Sequence, residues 1–147
     1  KLLELLGNIE DPVRKMDLLI TAKNFVCPSL FMARKLRENG NETWVYQFNR
    51  VRDGKLAKKF GAFHGAELPY VFNTHDDWLP TNEVDIDLTL AIQSYWLSFA
   101  KTGNPNDKVS PVWPVYEAIN DPSLVLDAKI FSRQHESSDI CRIMELF

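Results

Sequence analysis

The segment Phe60-Gly61-Ala62-Phe63-His64-Gly65-Ala66-Glu67-Leu68-Pro69-Tyr70-Val71-Phe72 places one histidine in an apolar frame. Gly61 and Gly65 lie on either side of His64, and glycine adopts backbone angles that a β-carbon forbids. Phe63 supplies apolar bulk that excludes water from the histidine. Because imidazole changes charge near neutral pH, a histidine fixed on such a tight loop is typical of a general base. A histidine packed in the core is the alternative interpretation of this pattern.

Three further stretches also carry a resemblance to a known family. Together with the first segment, and in the same order along the chain, they resemble the C-terminal part of type-B carboxylesterases, the group that includes the cholinesterases. They are Asn24-Phe25-Val26-Cys27-Pro28, Tyr95-Trp96-Leu97-Ser98-Phe99-Ala100-Lys101-Thr102-Gly103-Asn104-Pro105-Asn106 and Trp113-Pro114-Val115-Tyr116. The resemblance begins at about Asp17. It implies the C-terminal part of an α/β-hydrolase fold, with helices packed on the last strands of a central sheet. Residues 1–147 would then be a portion of one domain and not an independent domain.

The resemblance also implies a catalytic role for His64. In α/β-hydrolases the triad follows the order serine, acid, histidine, and the serine lies in a Gly-x-Ser-x-Gly elbow. The sequence contains no such elbow. We therefore expect a serine-type carboxylic ester hydrolase that acts on a small-molecule ester, with His64 as general base and acid. The nucleophilic serine and the triad acid would belong to an N-terminal portion, on the same or a separate chain. A start at Lys1 instead of Met fits an internal start.

Residues beside the histidine are expected to support it. Gly65 does so through its backbone freedom and Phe63 through its apolar bulk. The resemblance suggests that Glu67, among apolar neighbours, forms hydrogen bonds within the floor of the site and steadies the loop. Glu67 has a second interpretation, as a first-turn acid that favours the start of a short helix. Asp17 is the best upstream acid in the chain, but the family's triad acid lies further towards the N-terminus, so a structural role is expected for Asp17.

Cys27 and Cys141 are the two cysteines, separated by 114 positions. Free buried cysteines would be one interpretation. The resemblance implies that they form a disulfide bond, as in the cholinesterase branch. A disulfide persists in an oxidising compartment, so we expect a secreted or extracytoplasmic protein. In that setting the Asn41-Glu42-Thr43 sequon makes Asn41 a candidate glycosylation site.

Charge and composition argue against several other classes of protein. The net charge is −3 and the basic residues are scattered, which argues against nucleic-acid binding. The apolar runs are far shorter than the roughly 20 residues that span a bilayer, so no transmembrane segment is expected. His75, Asp76 and Asp77 lack a second histidine at metal-ligand spacing, and we interpret Asn73–Pro80 as a solvated loop without a metal. No cofactor is implied.

Hydrophobic periodicity and capping residues predict the elements along the chain. Helices are expected over the first ten residues, from Asp11 and Pro12, from Pro28 to Gly40, from about Asn82 to Thr102, and from about Ser137 to Phe147. The long helix should bury Leu88, Ile92, Tyr95 and Phe99. Strands are expected at Thr43–Asn49, buried on both faces, and at Ser123–Asp127. Arg50–Lys59 should be a surface loop, and Trp113–Tyr116 an anchoring loop.

Two rival functions remain at this stage. The first is a catalytically inactive, cholinesterase-like adhesion or binding protein, since a fold does not fix a function. The second is a self-contained small α+β binding domain. A lone central strand argues against the second rival, because such a strand needs neighbours to satisfy its backbone groups. We expect residues 1–147 in isolation to aggregate or remain molten.

Overall fold

The computed structural model describes residues 6–77, 79–106, 110–134 and 138–144. The described residues form two compact units. The first unit contains the residues up to Val45, Val115–Pro122 and the residues from Gln134 onward. The second contains Tyr46–Pro114 and Ser123–Arg133.

The first unit is helical. Helix α1 covers Pro12–Thr21, and a wider π-helical turn at Ala22–Val26 leads without a break into α2, Cys27–Glu38. The side chain of Asp11 accepts a hydrogen bond from Val13 N at 2.9 Å, so the predicted helix start is confirmed. The prediction of a separate helix opened by Pro28 is wrong in one respect. Proline has no N–H for the regular α-helical ladder, and the wide turn immediately before it joins the two helices.

Of the two predicted terminal helices, only the C-terminal one is seen among the described residues. Of the helix predicted over the first ten residues, residues 1–5 lie outside the described residues and residues 6–8 form a turn. Helix α6 covers Ser138–Met144, within the predicted C-terminal helix. Gly40 follows α2 with a φ of 81°, as a left-handed helix stop requires.

Cys27 and Cys141 are joined by a disulfide bond, with their Cα atoms 5.1 Å apart, which confirms the predicted pairing. The bridge lies in the core of the first unit and links α2 to α6. The buried residues of this core are Ala22, Cys27, Leu30, Ala33, Tyr116 and Cys141. Tyr116 is fully buried, so this end of the predicted anchoring loop is confirmed.

One helical stretch in the described residues could cross a membrane by length and composition alone. It is Pro12–Glu38, with a mean hydropathy of 1.2 in its most apolar window. A single helix of this kind is weak evidence, because core helices of soluble proteins pass the same test. The absence of a transmembrane segment therefore stays a prediction.

The second unit carries a three-stranded sheet in the order β1, β2, β3. The strands are β1 at Tyr46–Phe48, β2 at Pro122–Leu126 and β3 at Phe131–Gln134. Strand β1 runs parallel to β2, with Tyr46 opposite Leu124 and Phe48 opposite Leu126. The second predicted strand is confirmed as β2. The prediction that the first strand is buried on both faces is wrong, because β1 is short and lies at an edge of the described sheet, where Tyr46 is 36% exposed.

Three helices complete the second unit: α3 at Lys55–Phe60, α4 at Leu68–Phe72 and α5 at Glu83–Thr102. Helix α3 lies in the stretch predicted as a surface loop. That prediction is wrong because these residues are mostly good helix formers and Ala57 is buried at 2% exposure.

Helix α5 begins and ends as predicted. Asn82 is its N-cap, and Gly103 ends it with a φ of 76°. Leu88, Ile92 and Tyr95 are buried as expected. Phe99 is 51% exposed, so its predicted burial is wrong. It lies in the last turn of the helix, and residues 99–104 are all exposed to solvent.

Candidate functional site

The histidine singled out in the sequence lies on the loop between α3 and α4. Its flanking residues Gly61 and Gly65 have φ values of 64° and 87°, a left-handed conformation that favours glycine. Gly61 N donates to Ala57 O at 2.7 Å, and Leu68 N donates to Gly65 O at 3.1 Å. The loop from Gly61 to Glu67, which we call the His64 loop, is thus bonded at both ends to helices.

His64 itself is exposed. The described residues therefore do not enclose it as a core histidine, and its catalytic role stays a prediction. Phe63 is 38% exposed and packs edge to face against Phe60, with ring centroids 6.3 Å apart. Phe63 and Gly65 line a cavity of about 250 Å³ whose walls are mainly apolar. The imidazole is thus carried on an accessible loop beside an apolar cavity.

Glu67 lies at the N-cap position of α4 and is half-buried. Its carbonyl oxygen accepts hydrogen bonds from Tyr70 N at 2.9 Å and Val71 N at 3.1 Å, while its side chain makes no capping bond. The prediction that Glu67 is buried among apolar side chains is wrong in part, because Leu68 and Phe72 are 50% and 67% exposed. A helix this short buries one face, which is the face of Tyr70. The position fits the helix-start interpretation, and a supporting role for Glu67 stays a prediction.

The buried carboxylate of Asp85 accepts hydrogen bonds from three parts of the second unit. Its Oδ1 accepts from Tyr70 Oη and from Arg50 Nε, both at 2.7 Å, and its Oδ2 accepts from Asn82 N at 3.0 Å. Burial by itself raises the pKa of Asp85, but these bonds outweigh it and hold the pKa below its usual value. Burial, and then the bond to Asp85, raise the pKa of Tyr70 to about 12. The residue pair is an ionised carboxylate with a neutral phenol.

A second chain of hydrogen bonds runs from Arg52 through His75 to Thr89. Arg52 Nη2 lies 2.9 Å from His75 Nδ1, and His75 Nε2 lies 2.8 Å from Thr89 Oγ1. Because a guanidinium only donates, Nδ1 must accept, which places the proton of a neutral ring on Nε2. Thr89 Oγ1 accepts a hydrogen bond from that Nε2–H, and its hydroxyl group donates a hydrogen bond to Asp85 O at 2.7 Å. Burial, and then the charge of Arg52, lower the pKa of His75 and favour this neutral form.

The sequence pattern did not indicate this polar network. The expectation of a solvated loop at Asn73–Pro80 is wrong at His75, whose two ring nitrogens are both engaged by protein groups. Arg52, placed in a surface loop by the sequence, is 7% exposed, and its guanidinium lies over the Tyr70 ring at 5.3 Å. One local signal was available, because Asn82 and Asp85 have the spacing of a capping box.

Asn41, the candidate glycosylation site, is exposed after the end of α2. Its Nδ2 donates to Leu36 O at 3.3 Å, and Thr43 Oγ1 donates to Asn41 O at 3.4 Å. The sequon is therefore at the surface of the first unit, and its modification stays a prediction.

Comparison with known proteins identifies related sequences. The sequence model described as the carboxylesterase family matches residues 7–142. The liver carboxylesterase of Sus scrofa is 32% identical over 118 residues, which cover 76% of this chain and 21% of that protein. Carboxylesterase 1C of Rattus norvegicus is 32% identical over 119 residues, covering 76% of this chain and 22% of that protein. The chain thus spans about a fifth of the length of these relatives.

Solved structures agree with the sequence relatives. A PNB esterase matches 72% of this chain and 22% of its own, with a TM-score of 0.61 and 30% identity. A carboxylesterase of Geobacillus stearothermophilus matches 97% of this chain and 30% of its own, with a TM-score of 0.77 and 23% identity. These neighbours are esterases of the α/β-hydrolase fold, and the expected fold class is confirmed.

Proposed function

Because this chain belongs to the carboxylesterase family, we propose that it is the C-terminal portion of a serine-type carboxylic ester hydrolase in which His64 is the general base and acid. The observation that carries the proposal is the placement of His64, which is exposed on a loop fixed at both ends, beside a cavity. A general base must be able to approach the proton that it removes. An exposed imidazole on this loop can be reached by a hydroxyl group from outside the described residues.

In this proposal His64 accepts a proton and then donates it in each half of the reaction. It accepts the proton of a serine hydroxyl as the oxygen attacks the ester carbonyl, and it returns that proton to the leaving alcohol. It then accepts a proton from water, which attacks the acyl-enzyme, and returns the proton to the serine as the acid leaves. Glu67, Gly65 and Phe63 support the loop. The substrate class is a small-molecule ester.

The serine and the triad acid come from an N-terminal portion of the protein, on the same or a separate chain. Strand β1 supports this part of the proposal, because it lies at an edge of the described sheet and its outward backbone groups need partners. The chain is then one part of a single α/β-hydrolase domain.

The test replaces His64 in the complete enzyme that contains these residues. We expect His64→Ala to lower kcat for a p-nitrophenyl ester by about 10⁴-fold or more, as loss of a triad member does, while circular dichroism stays unchanged. His135→Ala is the matched control, since it makes the same substitution at another histidine. Near-normal turnover by the folded His64→Ala protein would defeat the proposal.

The inactive alternative predicts a different result in the same protein. A cholinesterase-like binding protein would have no reactive serine and would not be labelled by a fluorophosphonate probe. The proposed enzyme reacts with the probe at one serine outside these residues, and His64→Ala slows that labelling. Absence of labelling in the complete, folded protein would favour the binding protein.

Expression of the 147 residues alone tests whether they depend on the remaining portion. Large apolar side chains are exposed in both units, and Met16 and Leu90 are 58% and 61% exposed. We expect aggregation or a molten state for the isolated chain, and recovery of a cooperative unfolding transition when the N-terminal portion is coexpressed. A cooperative thermal transition of the isolated chain would count against this part of the proposal.

The disulfide bond and the family relationship support a secreted or extracytoplasmic location. In a eukaryotic host, Asn41 would then carry a glycan. Treatment of the secreted protein with an N-glycosidase should increase its gel mobility, and Asn41→Gln should remove the part of that shift due to this site. A gel mobility that Asn41→Gln leaves unchanged would exclude modification at Asn41.

A further inference from the structure

The geometry points to Tyr70 as the residue that positions the His64 loop, through the hydrogen bond from its hydroxyl group to Asp85. The inference rests on the proposed role of His64 and adds a positioning residue to it. Tyr70 is six positions beyond His64, on the helix that the loop enters.

The His64 loop has little rigidity of its own. Gly61 and Gly65 flank His64, and both adopt positive φ values, so the chain can bend on either side of the imidazole with few steric limits. The loop leads into α4, which has only five residues. A helix of this length is unstable in water unless tertiary contacts hold it. The position of the imidazole therefore depends on what holds α4.

Tyr70 is the buried side chain of α4, with 1% of its surface exposed. Its ring contacts Phe48 of β1, with centroids 5.1 Å apart, and meets His75 edge to face at 4.9 Å. The guanidinium of Arg52 lies over the ring at 5.3 Å. These contacts enclose the ring and leave its hydroxyl group as the polar atom that needs a partner.

The partner of that hydroxyl group belongs to a rigid element. Asp85 is fully buried in the first turn of the 20-residue helix α5, and it takes part in the capping box with Asn82. Arg50 Nε donates a hydrogen bond to the same carboxylate oxygen, Oδ1, that accepts one from Tyr70. The phenol of α4 is thus bonded to an acceptor whose own position is fixed from two other directions. Gln93 Nε2, also on α5, reaches Val71 O at 3.5 Å and adds a weaker link.

The same short helix transmits this anchoring to the loop. Tyr70 N donates to Glu67 O at 2.9 Å, Leu68 N donates to Gly65 O at 3.1 Å, and Ala66 N donates to Phe63 O at 3.0 Å. These successive turns connect the anchored residue to both neighbours of His64. A shift of α4 would therefore move the imidazole, and small displacements of a catalytic group reduce the rate strongly.

The experiment compares two matched substitutions in the complete enzyme. Tyr70→Phe removes the hydroxyl group and keeps the ring. Tyr116→Phe makes the same change in the other unit, where a fully buried tyrosine likewise donates to a buried aspartate, Asp121. Both variants should lose similar thermal stability, because each loses a buried tyrosine–aspartate bond. We expect kcat to fall about tenfold for Tyr70→Phe, with KM within about twofold, and to stay within about twofold for Tyr116→Phe.

Pre-steady-state kinetics with a p-nitrophenyl ester supply a readout that a merely structural role would not change. His64 acts in acylation and in deacylation, so a displaced imidazole should slow both steps. Assays are run at a temperature at which circular dichroism shows every variant folded. Equal kcat values for Tyr70→Phe and the unaltered enzyme would overturn the inference, and so would an equal loss of kcat in the two tyrosine variants.

A second variant covers the case in which Tyr70→Phe does not fold. Asp85→Asn keeps the side-chain shape and an oxygen acceptor but replaces a charged hydrogen bond with a weaker neutral one. A fall in kcat without a change in KM supports positioning, and unchanged kinetics overturn it. Failure of the proposed function is separate, because it would appear as turnover that survives His64→Ala.

Discussion

Arg52 donates a hydrogen bond to His75, with 2.9 Å between Nη2 and Nδ1, and so selects the neutral form of the imidazole. Protonation would place a second donor where the guanidinium needs an acceptor. The folded protein therefore resists protonation of His75, and burial acts in the same direction.

This relationship predicts a stability that depends on pH. The pKa of His75 is lowered by burial and by Arg52, while Asp85 and Asp76 act in the opposite direction. An unfolded chain binds the proton near its ordinary pKa of about 6.5, whereas the folded protein binds it only at lower pH. Stability is therefore fully present above about pH 7 and falls as the pH decreases towards the lowered pKa. Thermal unfolding of the complete protein between about pH 7.5 and 5.5 measures this.

The control for the pH dependence is His75→Gln, which removes the titrating ring. Its unfolding temperature should be lower at pH 7.5 and should decrease less as the pH is lowered. If the variant and the unaltered protein lost the same number of degrees over this range, His75 would not be the group responsible.

Asp121 should be important for the stability of the first unit. Its carboxylate is 1% exposed, accepts from Tyr116 Oη, and receives Arg142 Nη2 at 3.1 Å. Asp121→Ala would leave a buried phenol without its acceptor and would leave Arg142 with only its exposed ion pair to Asp139, at 3.6 Å. We expect a loss of about 2 to 4 kcal/mol in denaturant unfolding of the complete protein.

Glu117→Ala provides the comparison for Asp121. Glu117 forms an ion pair with Arg37 at 2.6 Å, but its side chain is 55% exposed. An exposed pair of this kind contributes under about 1 kcal/mol. Equal losses for the two variants would show that burial does not set the contribution of Asp121.

The disulfide bond between Cys27 and Cys141 should stabilise the folded protein strongly. It closes a loop with a sequence separation of 114 residues. The chain-entropy model gives up to about 4 to 5 kcal/mol for a loop of this size. We expect the double variant Cys27→Ser, Cys141→Ser to unfold at lower denaturant concentration, and a reductant to shift only the unaltered protein. A reductant effect on the double variant as well would point to a cause other than this bridge.

Local signals allowed part of the fold to be predicted. Helix α5 was predicted at both ends because its apolar stripe begins near Asn82 and because Gly103 acts on a residue only four positions away. The π-helical turn before Pro28 was missed, since the sequence pattern is compatible with two separate helices. The pairing of Cys27 with Cys141 was available only through the family resemblance, because nothing local relates residues so far apart.

The polar network could not be predicted for the same physical reason. Arg50 and Asp85 are 35 positions apart, and His75 and Thr89 are 14 apart. In sequence, Arg50 and His75 lie in polar stretches that resemble solvated loops. Their burial follows from tertiary contacts that supply partners for their charges and hydrogen-bonding groups, and composition does not report those contacts. The loop that carries His64 could be predicted because Gly61 and Gly65 lie within three positions of the histidine in the sequence.

The capping box of α5 should stabilise the folded protein, and substitutions at Asn82 can separate the effect of the cap from that of a second hydrogen bond. Its side-chain oxygen accepts from Asp85 N at 3.2 Å, and its Nδ2 donates to Asp53 Oδ2 at 2.6 Å. Alanine removes both bonds, whereas serine removes the contact with Asp53 but restores a capping oxygen. We therefore expect Asn82→Ala to cost about 1 kcal/mol in denaturant unfolding, and Asn82→Ser to recover most of that loss. Equal stability of the serine and alanine variants would mean that the contact with Asp53, and not the cap, accounts for the effect.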